Sequence, residues 1–288
     1  MKAVIALSGL AGFFLLGPGI VHSHKASRTH KVHAEVHVAS NVAVHVIQDA
    51  QSNCKFEEDM TLSSPVGSGD ALMVLAGSGS LDVKGVEGLT EVRAVGHACA
   101  SHEEFLEELD LTAEMDGSRL VVETHHPDFS GMRGWGSRYA RLDLRLEVPM
   151  GMAADIQDSS GEMVLSGLGA LSIEDSSGEI EAHAISGSLE IDDSSGEIRV
   201  WDVTGDVTID DGSGEMDITD IAGNLTIDDG SGEIDVEGVE GTVLVRRDGS
   251  GSIDVRGVGG DFIVERDGSG GIRHRDVSGK VDIPRRRR

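Results

Sequence analysis

Positive charge is nearly absent from the longest regular stretch of this 288-residue chain. Residues 151–245 hold 24 Asp and Glu and one basic side chain, Arg199, a net charge of −23. Phosphate binding needs the opposite sign, so nucleic acid is not an expected partner. The same scarcity argues against a polysaccharide lyase or hydrolase, whose carboxylates work beside Lys or Arg beneath long loops. Apolar runs are also short. Only residues 3–16 form one, broken by glycine, and it is too short to span a bilayer. Cysteine is limited to Cys54 and Cys99, so no lipid-attachment cysteine lies near the N-terminus.

What the chain does have is glycine, 39 residues of it, at regular intervals. The last glycine of each S-G or G-S-G turn falls at Gly161, Gly178, Gly196, Gly214, Gly232, Gly251 and Gly270, at spacings of 17, 18, 18, 18, 19 and 19. A second series, Gly169, Gly187, Gly205, Gly223, Gly241, Gly260 and Gly279, keeps spacings of 18, 18, 18, 18, 19 and 19. Each repeat is read as two short segments between two glycine-containing turns.

Apolar and polar residues alternate within the segments, which is strand periodicity. The apolar positions form columns. One runs Met163, Ile180, Ile198, Met216, Ile234, Ile253, Ile272, and another Ile173, Ile191, Ile209, Ile227, Val245, Val264, Ile283. Across five such columns, only Ala182 and His274 are not large and apolar. One repeat cannot bury its apolar side alone, whereas stacking rungs at about 4.8 Å buries it continuously. The expected fold is all-β, a parallel β-helix of about seven rungs over residues 151–283, roughly 34 Å long. An antiparallel sandwich is the alternative, though its strands would not repeat the same turn letters at one fixed interval. In the 19-residue rungs the extra residue falls between Val245 and Gly251 and between Val264 and Gly270, beside Arg246-Arg247 and Glu265-Arg266.

Residues 1–23 read as a secretory signal, with Lys2 ahead of the apolar stretch and small residues near Ser23 and Ala26. An uncleaved anchor is the alternative. Two cysteines in an exported chain suggest a Cys54–Cys99 disulfide, with a pair of inert thiols as the alternative. Residues 24–50 are a His/Val-rich lead-in. Residues 51–150 are expected to cap the first rung, a separate small domain being the alternative. There, "GSGSLDVKGVEG" at 77–88 nearly repeats "GSGEIDVEGVEG" at 230–241, and Leu72, Val74, Leu81, Val83, Val86 and Val92 fall on the column spacings, so a stray rung precedes the array. Ser101 and Glu104 suggest a capping box opening a short helix. Residues 109–124 suggest a hairpin around Asp116-Gly117, and residues 139–149 a strand ending at Pro149.

The layout resembles the bacterial putative-adhesin family of β-solenoid envelope proteins. The features that carry the resemblance are the N-terminal signal, the strand "LDLRLEVPMG", the "SSGE" and "GSGE" turns and the intervening "GVxG" or "VTG", over about residues 70–283. The resemblance implies an exported, repetitive β-solenoid and assigns no catalytic residues.

Candidate chemistry is sparse. Asp192-Asp193, Asp210-Asp211 and Asp228-Asp229 recur at rung spacing, with Glu197, Glu215 and Glu233 nearby. Like charges about 4.8 Å apart repel by roughly 1 kcal/mol in water-like screening and roughly 3 kcal/mol at intermediate dielectric. A calcium ion between rungs would relieve this. Yet calcium-binding nonapeptide repeats place Asp two residues after the last glycine, where this chain has Ile198, Met216, Ile234 and Ile253. A solvated acidic face is the simpler expectation. His30, His33, Glu35, His37 and His45 offer a loose metal-binding set, or surface histidines only. "HAEVH" lacks the Glu directly after the first His that a zinc-protease helix needs. His274 interrupts an apolar column near the end, and Trp135 with Tyr139 suggests either a sugar-stacking platform or a loop anchor.

These features predict a non-enzymatic exported rod, structural or adhesin-like, in the periplasm or at the cell surface. Its partner would be an envelope or extracellular protein or a glycan surface. The alternatives are a cation-binding acidic module and a carbohydrate-active enzyme. Residues 246–288 carry 11 Lys and Arg against 7 Asp and Glu. The basic tail at 284–288 therefore suggests head-to-flank association with the acidic side of a second copy, or alternatively a solubilising end.

Overall fold

A computed structural model describes residues 54–130 and 138–284. The leader, the His/Val-rich segment with His30, His33, Glu35, His37 and His45, as well as Trp135 and Arg285–Arg288, lie outside the described residues. No helix among the described residues is long and apolar enough to cross a membrane.

The repeats form a β-solenoid. In the central ones an eight-residue strand (Gly196–Val203, Gly214–Ile221, Gly232–Val239) alternates with a five-residue strand (Leu189–Asp193, Val207–Asp211, Leu225–Asp229). The long strands stack in parallel in one sheet and the short ones in another, each sheet having eleven strands among the described residues. The register follows the repeat, with Ile198 beside Met216, Met216 beside Ile234, and Ile191 beside Ile209. Inward residues alternate with outward ones, so the columns read from the sequence become the core. Met163, Ile180, Ile198, Met216, Ile234 and Ile253 are all buried, each contributing roughly 1.5–3 kcal/mol by leaving water.

Each long strand also bends, a feature that the two-segment reading did not contain. The bend is a left-handed residue in every rung. Gly167, Asp202, Asp220, Gly238 and Gly257 have φ of 69, 58, 56, 75 and 65°, and Ala184 takes the same position with φ 54°. Gly and Asp tolerate this region, whereas alanine meets its own carbonyl there. Ala184→Gly should therefore raise stability by about 0.5 kcal/mol, the relief of strain being partly offset by a more flexible unfolded chain. Equilibrium unfolding in urea would read this, and an unchanged or lower midpoint would refute it.

The 19-residue rungs take up their extra residue as a β-bulge. Ile227 pairs with Val245 but Asp228 pairs with Arg247, leaving Arg246 as the inserted residue.

At the N-terminal end the strands of residues 71–86 do not simply precede the array but are interleaved with later strands. Leu81–Val86 lies between Ala140–Pro149 and Gly161–Ser166, parallel to both. Ala71–Leu75 lies between Arg119–His125 and Ala154–Asp158. Val92 belongs instead to the strand Glu91–Ala100, which runs antiparallel to its neighbours Phe56–Pro65 and Ala140–Pro149. The hairpin Asp110–Asp116 with Arg119–His125 closes the other sheet, turning through Gly117-Ser118. One apolar cluster runs from this cap into the rungs.

The expected capping box does not form. The helix is one turn, Glu103–Leu106, its N-cap is His102, and no side chain caps it. The Ser101 hydroxyl is engaged elsewhere, accepting the Tyr139 N–H at 3.1 Å and lying 3.0 Å from His102 Nδ1. The helix is held by Phe105, which is buried and packs edge-on against Phe129 at 5.0 Å.

Candidate functional site

The acidic residues of the short strands divide between the two sides of the sheet. Asp192, Asp210 and Asp228 face outward, in register with Glu174 below and Arg247 above. Arg247 Nε donates to Asp228 Oδ1 at 2.7 Å, so the bulge ends the acidic column with a cation. Asp193, Asp211 and Asp229, the second residue of each pair, face inward. They belong to a longer column in unbroken register, Asp158, Asp175, Asp193, Asp211, Asp229 and Asp248. Asp267 continues it through a bridge to Asp248. Relative exposure along the six falls from 7% at Asp158 to 0% at Asp229 and is 2% at Asp248.

Local chemistry puts these aspartates there. Each ends a short strand at an inward position and opens an Asp-Ser-Ser-Gly or Asp-Gly-Ser-Gly turn. The side chain of Asp193, Asp211 or Asp229 then accepts the backbone N–H two residues on, from Ser195, Ser213 or Ser231, at 3.0–3.1 Å through Oδ1. This is an Asx turn, which fixes the corner. The second oxygen, Oδ2, of each of the three is buried without a hydrogen-bond partner.

Burial is the main cause of raised pKa values along the column. It lifts the Asp193 carboxyl to about 6, helped by Asp175 and Asp211 and opposed by the Ser195 N–H. Burial, then Asp211 and Asp248, lift Asp229 to about 7. Asp158 is pushed up to about 6, again first by burial. Asp175, Asp211 and Asp248 shift upward for the same reason.

The long-strand sheet carries its own outward carboxylates. Glu179 aligns with Glu197, and Glu215 with Glu233. Arg199 clasps Glu179, Glu181 and Glu197. Ser252 donates to Glu233 at 2.8 Å where the column changes character. Beside them the His183 and Trp201 rings stack at 4.4 Å with planes 5° apart. Glu197, Glu215 and Glu233 thus flank the turn on the outside and do not join the inward aspartates.

The structure joins Cys54 to Cys99, with Cα atoms 5.5 Å apart. Among the described residues, the one group of at least three potential ligands whose donor atoms converge is Cys54, Glu57 and His97. It does not suit a metal, because Cys54 is spent in the disulfide and His97 Nδ1 lies 2.8 Å from Asp59. His274 stands exposed on the last rung in register with Val255, its ring 6.0 Å from that of Phe262. Tyr139 exchanges backbone contacts with Ser101, its carbonyl accepting the Ser101 N–H at 2.9 Å. It therefore anchors the start of the strand Ala140–Pro149.

From sequence, Asp193, Asp211 and Asp229 belong with Asp192, Asp210 and Asp228 to one acidic column. The structure separates the two sets, adds Asp158, Asp175 and Asp248 to the inward one, and shows the His183–Trp201 stack, which the sequence reading does not contain. A signal for the column exists: alternation counted from Ile191 through Asp192 puts Asp193 on the apolar side.

No family model matches the chain, and no curated protein matches it in sequence. Similar solved structures include a "putative cell adhesion protein" from Clostridium sporogenes, 14% identical, over 78% of this chain and 99% of that one, with a TM-score of 0.27. A "putative adhesin" from Parabacteroides distasonis is 11% identical over 78% and 97%, with a TM-score of 0.37. A "putative lipid binding protein" from the same species is 12% identical over 77% and 96%, with a TM-score of 0.40.

Proposed function

We propose that this protein is a non-enzymatic, exported β-solenoid that serves the bacterial envelope as a rigid, adhesin-like interaction rod. The observation that carries the reading is the registered outer surface. Glu179 and Glu197, and Asp192, Asp210 and Asp228, repeat at strand spacing on two sheets whose positions are set by a continuous core. Such a surface offers a partner a repeated acidic pattern on a stiff support, with little conformational entropy to lose on binding. The turns between the central strands are tight and raise no long loops over this surface, and a hollow in it near Asp192, about 450 Å³ and lined by Leu75, Glu174 and Asp175, is open to solvent. Export is supported by the leader-like residues 1–23.

The test is protease accessibility on intact cells, with fractionation and N-terminal sequencing of the mature chain. Cleavage without lysis is expected of a surface rod, and protection until the outer membrane is opened would make it periplasmic. An uncleaved N-terminus in the cytosolic fraction would overturn the proposal.

A further inference from the structure

We propose that the inward aspartate column is a proton-binding ladder, in which neutral and ionised carboxyls alternate along the rod and each neutral Oδ2–H donates to the carboxylate of the next rung. No released group or redox partner is involved. Folding takes up protons from solvent, on the order of one for every two carboxyls of the column.

Three observations carry this. First, six consecutive rungs put a carboxyl at one register position, and Asp193, Asp211, Asp229 and Asp248 are 3, 1, 0 and 2% exposed. Full ionisation would bury a row of like charges at strand spacing, with little water to screen them. Second, Asp193, Asp211 and Asp229 each use Oδ1 on a serine N–H and leave Oδ2 buried and unpartnered. A buried polar atom of this kind requires a partner. One proton between two such oxygens makes one a donor and the other an acceptor, which satisfies both.

Third, among the described residues the surroundings supply little counter-charge. The inward positions of the opposite sheet are apolar, Ile198, Met216 and Ile234 among them. On the column's own strands the outward neighbours are neutral Gln157, acidic Glu174, Asp192, Asp210 and Asp228, and the one cation Arg247 beside Asp248. The strands after the turns carry Glu197, Glu215 and Glu233 as their second residues. Arg247, the cation beyond the bulge, faces outward and is held by Asp228, with Asp210 and Asp229 acting on it only through space. A calcium ion would require about six to eight oxygens. The corner carbonyls already accept hydrogen bonds. Asp193 O takes the Gly212 N–H, Asp211 O that of Gly230, each at 2.9 Å, and Asp229 O that of Gly249 at 3.2 Å.

The sign follows from proton linkage. The folded state binds protons that the unfolded chain has released above its ordinary carboxyl range. Stability is therefore greatest in acid and falls as pH rises through the folded-state values of about 6 at Asp193 and about 7 at Asp229. The rod would thus be firmer in mildly acidic surroundings than in neutral ones.

The experiment follows thermal unfolding of the full mature chain from pH 5 to pH 8, for wild type and for Asp211→Asn/Asp229→Asn. Asparagine keeps the acceptor and supplies a fixed donor without a titrating proton. The wild-type Tm should fall by roughly 5 °C or more over this range. The variant should be flatter and should melt above wild type at pH 8, while the surface histidines contribute equally to both. Infrared spectra of the wild type provide a second readout, independent of whether the variant folds. A carbonyl band of neutral carboxylic acid should persist at pH 6 and vanish on unfolding. Equal slopes in the two proteins, or the absence of that band at pH 6, would overturn the proposal. So would a rise in wild-type Tm at pH 8 on adding calcium that a chelator reverses, because a metal would then occupy the ladder.

Discussion

Gly232→Ala should cost more than about 4 kcal/mol and leave little folded protein. At this corner the backbone of each rung passes directly over the rung before it. A Cβ built on Gly232 falls far inside the van der Waals distance of the Gly214 carbonyl oxygen. The same clash recurs for Gly196 over Gly178, Gly214 over Gly196 and Gly251 over Gly232. No flexible side-chain end is available to yield, because the obstacle is backbone that the ladder holds in place. Gly232 N–H donates to Ser250 O at 2.8 Å, so moving it aside breaks the stack in both directions. A solenoid depends on nearest-neighbour interfaces, and a broken interface at mid-rod should uncouple the C-terminal rungs from the capped half. The control is Gly271→Ala on the last rung, where nothing lies within 4 Å of an added Cβ. That substitution should change stability by no more than about 0.5 kcal/mol. Chemical denaturation of the pair decides the matter, and a Gly232→Ala protein as stable as the control would show that the corner relaxes in a way the structure does not contain.

Reducing the Cys54–Cys99 bond should lower stability by about 4 kcal/mol on the chain-entropy account. The bond spans 45 residues and lies where Phe56–Pro65, the outermost strand of its sheet, pairs with Glu91–Ala100. Phe56–Pro65 has no buried position along its length, whereas Cys99 beneath it is buried. Its attachment therefore rests on backbone pairing and on the disulfide more than on packing. The loss should be local. Native-state hydrogen exchange under reducing conditions should show amides of Phe56–Pro65 losing protection, while those of Gly196–Val203 and Gly214–Ile221 keep theirs. Unchanged exchange at the outer strand would mean that pairing alone holds it, and uniform loss throughout would mean that cap and rungs unfold as one unit.

The sequence by itself determined the solenoid, because its cause is local and repeated. A period of 18 residues with apolar residues at alternate positions leaves one arrangement that buries them all. The columns through Ile198 and Ile209 are accordingly the observed core. The inserted residue was legible at Val245–Gly251 for the same reason, since a change of period has to appear as a bulge, and Arg246 is that bulge. Where the order in space departs from the order in the chain, the repeat has no information to offer. Leu81–Val86 enters between Ala140–Pro149 and Gly161–Ser166 because a rung's edges accept any strand of matching pattern and register. Ser101 had the composition of a helix cap, but tertiary contact with Tyr139 took its hydroxyl. The aspartates show the clearest division. Charge alone assigns Asp193, Asp211 and Asp229 to solvent along with Asp192, Asp210 and Asp228. Strand alternation and the serine N–H groups of the turn assign them to the interior. Only the folded corner decided between the two, because the hydrogen bond that holds each inward carboxyl exists only once the turn is closed.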